Sequence, residues 1–480
     1  MRANKKGAAP AEEPDASTGS GEGQSHSRTY SPALLAVCLG YFMVILDTTI
    51  VNAALPALRS DLNAGVAGLQ WVVDGYMLTL AAGLLTGGAL ADRAGARRVF
   101  QAGLVLFAVS SAACGFAPQT SVLVAARLVQ GASAALTVPA SLALLRAAFP
   151  ERSARARAIG AWGAVAGLAA ASGPVLGGLL VSQASWRLVF FVNVPVALLA
   201  MVLTARHVPA PAPSPRRLDP AAQVLGAVAL AALTYALIEG GRGGAGGPAA
   251  AAAAAFVLAC AAFVAVERRV TEPMLPLGLF RDRTFTGATF VGLLINLGFY
   301  GELFVLNLGF QHVLGLSALL TGIALLPQMG MATIGSALSG RFTARAGSPR
   351  TTMLAGLLTG SAGFFALAAA GAGTSAAYGL LVAPLIAVGF GMSFTMPAAT
   401  TAVVEAAPGE HAGLASGVIN AARQTGGVIG VALLGALMHD TGASPGGGLR
   451  VALSVAGCAF LLAAALTALT VPRHAAAQAK

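Results

Sequence analysis

Apolar stretches of membrane-spanning length follow one another along this chain, separated by short turns of charged, proline or glycine residues. They fall at about 33–55, 69–90, 99–117, 121–143, 158–181 and 187–205, then at 221–239 and 249–266, and again at 286–309, 318–339, 351–371, 376–400, 412–438 and 450–471. A helix rising ~1.5 Å per residue crosses a hydrocarbon core of ~30 Å in roughly 20 residues, so each stretch is long enough to span a bilayer. The pattern predicts an all-α polytopic membrane protein with fourteen transmembrane helices, two blocks of six around an inserted pair. The domain boundaries that follow are a disordered cytoplasmic tail at 1–30, a first bundle at 31–206, a linker with the inserted pair at 207–283, a second bundle at 284–472 and a short tail at 473–480. Residues 1–30 lack apolar periodicity and are read as a tail, not a cleaved signal peptide, because the first apolar run starts late and is too long.

Composition agrees and adds a direction. With 56% hydrophobic and only 10% charged residues, no soluble globular class fits. The net charge of +11 would suggest nucleic acid in a soluble domain, but the basic residues sort by membrane face. Of the 29 Lys and Arg, 23 fall on the side of the N terminus, four (Arg59, Arg187, Arg242, Arg450) on the other, and Arg127 and Arg423 lie within spans. That asymmetry predicts both termini in the cytoplasm and an even number of spans. The four cysteines, Cys38, Cys114, Cys260 and Cys458, are scattered through apolar segments, so neither a metal site nor a cofactor is expected. The blocks also echo each other: Pro150-Glu151 through Gly160 opens one glycine-studded span, and Pro408-Gly409-Glu410 through Gly417 opens its counterpart. Internal duplication is the mark of secondary transporters.

Candidate chemistry begins with the polar residues that the spans contain. Asp47 stands past the middle of the first span with Thr48, Thr49 and Asn52 beside it. A carboxylate at that depth costs at least ~2.5 kcal/mol, so it faces a protein-lined cavity or a helix partner. Arg127 on the fourth span has the same problem. Counted from opposite faces, Asp47 lies ~20 Å above the inner boundary and Arg127 ~9 Å below the outer one, so their heights agree and a charged network linking them is open to both. Glu302 is the deepest acid of the second block, with Asn296 and Asn307 nearby; it is either a second titratable group or a structural partner of an Asn or of Arg423. Arg423 is a candidate for binding a substrate anion or for pairing with Glu302. Asp74 near the outer end of the second span is either part of a pathway or a hydrated interfacial residue, and Glu239 is read as solvated. Thr48, Asn52, Asp74, Gln130, Asn296 and Arg423 make up the expected substrate pathway.

Three motifs gather around these residues. The turn after the second span, Gly88-Ala89-Leu90-Ala91-Asp92-Arg93-Ala94-Gly95-Ala96-Arg97-Arg98, sets an acid beside bases at a helix end. Membrane topology alone explains Arg97 and Arg98 but asks for neither Asp92 nor Gly95. The fourth span carries Arg127 through Gly131 and Ser133. The fifth carries Gly160, the pairs Gly163/Gly167 and Gly173/Gly177 that are predicted to clear a face for close packing, and Gly173-Pro174-Val175-Leu176-Gly177-Gly178.

Together with Leu46 to Pro56, Trp186-Arg187 through Asn193-Val194-Pro195, and Arg423-Gln424-Thr425-Gly426-Gly427, these motifs resemble the major facilitator superfamily, and within it the fourteen-spanner drug/proton antiporters, along nearly the whole chain. Ala96, Ser133 and Ala169 depart from the family pattern. The resemblance implies a major facilitator fold of two six-helix bundles plus two inserted helices, and proton-driven export of amphipathic drugs, antibiotics or related metabolites across the plasma membrane. It implies proton coupling at Asp47, Arg127 and Glu302, and a conformational latch at Gly88, Asp92, Arg93, Gly95 and Arg97. It further implies an antiporter motif at Gly160, Gly173, Pro174, Gly177 and Gly178. The expected partners are a small-molecule substrate, protons and the lipid bilayer, with no nucleic acid, and the working unit is a monomer. A proton-coupled symporter or facilitator for a small metabolite is the alternative. A membrane enzyme has no Walker-type loop, HExxH or nucleophile elbow to stand on.

Overall fold

The computed structural model describes residues 32–210, 220–240, 246–270, 275, 277–312, 314–370, 378–408, 412–438 and 447–473. The N-terminal tail, most of the C-terminal tail and most of the Pro-rich link read from the sequence lie outside the described residues.

The first block folds as α1 (Pro32–Asp61), α2 (Val66–Ala94), α3 (Ala96–Gly115), α4 (Thr120–Ala148), α5 (Arg152–Gln183), and a sixth crossing made of α6 (Leu188–Phe191) and α7 (Asn193–His207). The inserted pair is α8 (Pro220–Gly240) and α9 (Gly247–Glu267). The second block is α10 (Arg283–His312), a crossing divided into α11 (Ala318–Ala324) and α12 (Leu326–Ala346), then α13 (Pro349–Ala369), α14 (Gly379–Ala406), α15 (Ala412–Ala436) and α16 (Gly447–Thr470). The division at Leu325 precedes Pro327, which has no N–H to continue the helical ladder. Thirteen crossings among the described residues are long and apolar enough to span a membrane. The fourteenth is α15, whose length suffices but whose apolar character is diluted by Asn420, Arg423 and Gln424.

Each block is a bundle around its first helix. In the first, α1 is flanked by α4, α5 and α7; in the second, α10 is flanked by α14, α15 and α16. The bundles meet chiefly along two seams, α2 against α15 and α5 against α11 and α12, with a smaller contact of α1 with α10. Helix α8 covers the first seam: Gln223 bonds to Thr86 and to the Ala82 carbonyl on α2, while Ile238 packs between Ala67 of α2 and Ala432 of α15. Helix α9 lies outside α8, with Val257 and Leu258 exposed, as a lipid-facing helix requires.

The face where α1 begins is called proximal here and the face where it ends distal. Four side-chain hydrogen bonds join the bundles among the described residues. Gln70 donates to the carbonyls of Val431 and Ala432, at 3.3 and 2.9 Å. Gln311 donates to Ala53 at 3.4 Å, and Arg59 meets His312 at 3.3 Å. All four lie in the distal half. Backbone contact reinforces this closure: a Cβ added at Gly178 would come within 2.5 Å of the Ala318 carbonyl oxygen, and one at Gly322 within 2.2 Å of that of Pro174.

Candidate functional site

Helix α1 carries its polar run because the helix itself satisfies most of it. Thr48 Oγ1 donates to the Val44 carbonyl at 2.9 Å, Thr49 to Leu46 at 3.2 Å, and the Asn52 amide to Thr48 at 3.2 Å. These back-bonds return donors to carbonyls one turn below, so the hydroxyls travel through the apolar interior as part of the backbone ladder. The donors of Thr48 and Asn52, both assigned to the substrate pathway from sequence, are thereby occupied by their own helix.

Asp47 has no such internal solution and is completed by two other helices, α4 and α7. Arg127 of α4 forms an ion pair with it through Nη1. The Gln130 amide donates to Oδ1 at 3.0 Å, and the amide of Asn193, the first residue of α7, donates to the same oxygen at 2.9 Å. Arg127 is itself fixed, donating from Nη1 to Gln130 Oε1 at 2.8 Å and from Nε to the Val72 carbonyl at 2.9 Å, with Tyr76 stacked 4.3 Å below its guanidinium. Ser111 of α3 accepts from Gln130 and Asn193, both at 3.1 Å, and donates to Phe190 at 2.8 Å. Asp47 is 0% exposed and Arg127 1%, so the pair is shut off from the surface. The agreement of heights counted from the sequence is thus a real contact. Asn193 and Ser111 are missing from the sequence-derived site, although their signal, a polar side chain inside an apolar run, is the one that singles out Asp47.

The second bundle differs. Glu302 on α10 is fully buried, and its Oε2 accepts from the Gln328 amide of α12 at 2.8 Å. Its Oε1 has no partner among the described residues, and neither does Gln328 Oε1. Asn296 and Asn307 bond back to the Gly292 and Leu303 carbonyls of their own helix, at 3.0 and 2.8 Å, and not to Glu302. The pairing of Glu302 with Arg423, open on sequence, is not formed. The stem of Arg423 packs on Gly292, whose added Cβ would lie 3.4 Å from its Cγ. Ten residues of α10 separate that point from Glu302, ~15 Å along the helix.

Of the two readings open for Asp74, the structure disagrees with the hydrated interfacial one. Asp74 is 0% exposed, not hydrated at an interface, and neither carboxyl oxygen has a partner among the described residues. It lies one turn from Gln70, which crosses to α15, and near Met77, which reaches Gly427 of α15, so it stands on the seam between bundles.

Arg423 has neighbours in both bundles instead. It is partly exposed, its Nε has no hydrogen-bond partner, and the ionisable groups acting on it are the phenols of Tyr41 on α1 and Tyr300 on α10. Tyr41 stacks on Trp162 of α5 with ring centroids 3.7 Å apart and planes 6° from parallel. Neither Tyr41, Trp162 nor Tyr300 is legible as a site residue from sequence, because aromatic residues are ordinary in apolar spans.

The turn motif sits at the proximal face. Gly95 joins α2 to α3 at φ +93°, a conformation that glycine adopts without strain. Arg97 donates to the Ala205 carbonyl at the end of α7, Asp92 is half-buried and Arg93 exposed. The tight approach of α2 to α4 falls at Gly87, where an added Cβ would lie 2.0 Å from the Ala135 oxygen; Gly88 has ordinary room.

The glycines of α5 divide in the same way. Gly173 and Gly177 bring α5 against α1, where added Cβ atoms would meet Thr49 Oγ1 at 1.9 Å and the Ile50 oxygen at 2.6 Å. Gly178 meets α11 of the other bundle, next to Pro174. Gly160 and Gly163 have nothing within 4 Å, so the close packing expected of Gly163 is absent.

Comparison with known proteins follows this geometry. The family model described as Major Facilitator Superfamily matches residues 37–431 and 329–480. The methylenomycin A resistance protein of Streptomyces coelicolor is 38% identical over 89% of this chain and 90% of its own length. The multidrug resistance protein Stp of Mycobacterium tuberculosis is 39% identical over 86% of this chain and 76% of its own. The tetracenomycin C resistance and export protein of Streptomyces glaucescens is 38% identical over 85% and 76%. Among solved structures, a POT family transporter in complex with a thioalcohol-conjugated peptide superposes with a TM-score of 0.69 at 15% identity, over 91% of this chain and 94% of that one. A bacterial homolog of the human lysosomal transporter Spinster gives 0.67 at 16%, over 92% and 97%.

Proposed function

This chain belongs to the Major Facilitator Superfamily, and from that premise we propose that it is a proton-coupled antiporter of the plasma membrane, exporting amphipathic drugs, antibiotics or related metabolites. Export of such compounds accords with its resistance and export relatives. The observation that carries proton coupling is the buried Asp47–Arg127 pair. A proton arriving at Asp47 neutralises the carboxylate and removes the attraction that holds α1 to α4. Arg127 keeps its bonds to Gln130 and Val72 and loses only its counterion. Two protonation states therefore favour two helix arrangements, as coupling requires.

In this reading, which the arginine asymmetry supports, the proximal face and both termini are cytoplasmic and the distal closure faces outside. Gly178 and Pro174 of α5 work at the distal seam, and the turn of Gly88, Asp92, Arg93, Gly95 and Arg97 latches the opposite arrangement at the cytoplasmic face. Glu302 and Asp74 are further proton or substrate sites, and Thr48, Asn52, Gln130, Asn296 and Arg423 belong to the pathway walls. The monomer is the working unit.

Cells expressing the protein are expected to accumulate less of at least one compound in a panel of amphipathic antibiotics than cells carrying an empty vector, with the difference abolished by a protonophore. Equal accumulation across the panel, or a difference indifferent to the protonophore, would remove the proposal.

A further inference from the structure

We infer that the space between the bundles is a subsite for planar aromatic anions, with Arg423 meeting the anionic group and the stacked Tyr41–Trp162 pair meeting the ring system. The inference deepens the export reading and rests on it for direction of transport, but the binding chemistry stands on its own observations.

The first observation is an uncompensated cation. Arg423 sits near mid-length of α15, where a guanidinium needs a partner. The ion pairs seen among the described residues join Arg127 to Asp47 and Arg187 to Asp61. Glu302 is bonded to Gln328 and lies well along α10. The ionisable groups acting on Arg423 are phenols, Tyr41 from one bundle and Tyr300 from the other, and a phenol donates a hydrogen bond to an anion as readily as it accepts one from a cation. Among the described residues no carboxylate pairs with Arg423, and in this reading the anionic group of a solute takes that position.

The second observation is the aromatic surface. The near-parallel stack of Tyr41 and Trp162 holds both rings flat and leaves each an outer face on which a further ring can stack. Trp162 is held in place by its Nε1, which donates to Ser141 Oγ of α4 at 3.2 Å. A fixed flat wall selects flat solutes, because stacking loses little when no side chain must be ordered first. Tyr41 and Trp162 come from one bundle, Tyr300 and Arg423 from the other, so a bound anion bridges the two halves that must move. An anion leaving as a proton enters also carries net positive charge inward, so an inside-negative potential drives the exchange.

The test uses the full chain purified in nanodiscs and three probes of one shape and different charge: naphthoate, naphthylmethanol and naphthylmethylammonium. Titration calorimetry is expected to give naphthoate at least about tenfold tighter binding than the alcohol, with the ammonium weakest. Arg423→Gln is expected to collapse the preference for the acid over the alcohol to within about threefold, and Arg423→Lys to keep part of it. Trp162→Ala is expected to weaken acid and alcohol together. A preference for the ammonium, no preference by charge, or a preference that survives Arg423→Gln would each overturn the inference. The probe series on the parent protein decides the matter even where a variant does not fold. Drug accumulation in cells is measured separately: its failure would overturn the export reading and leave the calorimetric preference standing.

Discussion

Both bundles bury a carboxylate on their first helix, and they treat it in opposite ways. Asp47 is held by donors from Arg127, Gln130 and Asn193, and that cluster is closed by Ser111 and Tyr76. Glu302 has one amide, from Gln328, and an oxygen without a partner among the described residues. A buried pair resists loss of either member, since the survivor is left as an uncompensated charge. A half-bonded acid can be neutralised at little structural cost. The difference teaches that burial alone does not identify a coupling residue. The first bundle has a charge pair whose rupture leaves a buried charge uncompensated, whereas the second has an acid with a single amide partner among the described residues.

The largest expected effect breaks the first side of this comparison. Arg127→Met strands Asp47 and is expected to cost about 3–5 kcal/mol of stability and all gradient-driven export. Thermal unfolding in detergent together with vesicle transport checks it, and a variant as stable and active as the parent would show that the pair holds nothing. Next comes the seam. Gly178→Val places a branched side chain where even a Cβ falls 2.5 Å from the Ala318 oxygen, and overpacking of about 1–3 kcal/mol is expected to shift the population away from distal closure by roughly tenfold. Spin-label distances across the distal ends of α5 and α11 report that shift; unchanged distributions would contradict it.

Glu302→Gln sharpens the comparison from the other side. The Gln328 amide can bond the new carbonyl oxygen, so the expected loss of stability is under ~1 kcal/mol. The protons exchanged per substrate are nevertheless expected to fall, and an unaltered proton count would assign Glu302 to packing alone. The smallest effect is expected from Arg59→Ala. This exposed contact with His312 is worth about 0.5 kcal/mol, visible as a slight widening of the same distal distances and no change in proton count.

Much of the fold can be read from the sequence because membrane crossing is a one-dimensional property of apolar length. The meeting of Asp47 and Arg127 is also readable, since two heights counted from opposite faces coincide. What cannot be read is direction around a helix axis. Gly163 and Gly173 have the same i, i+4 spacing to a second glycine, yet only Gly173 faces a neighbour. Arg423 and Glu302 both register as deep, but depth says neither that Arg423 meets α10 at Gly292, more than two turns from Glu302, nor that Tyr41 is among its neighbours. Asp74 looks interfacial by its position in α2 and is sealed by the packing of α15 and α8 around that helix, which no linear reading contains.

The central claim is that proton movement is coupled to transport through Asp47. The direct measurement is exchange in vesicles reconstituted with parent protein or Asp47→Asn, following substrate and proton fluxes together, first with and then without an imposed pH gradient. The parent is expected to concentrate substrate against its gradient while protons move the other way. Asp47→Asn is expected to lose that uphill movement while still equilibrating substrate downhill, which shows that the protein is folded and inserted. Uphill, proton-linked transport by Asp47→Asn equal to that of the parent would contradict the account.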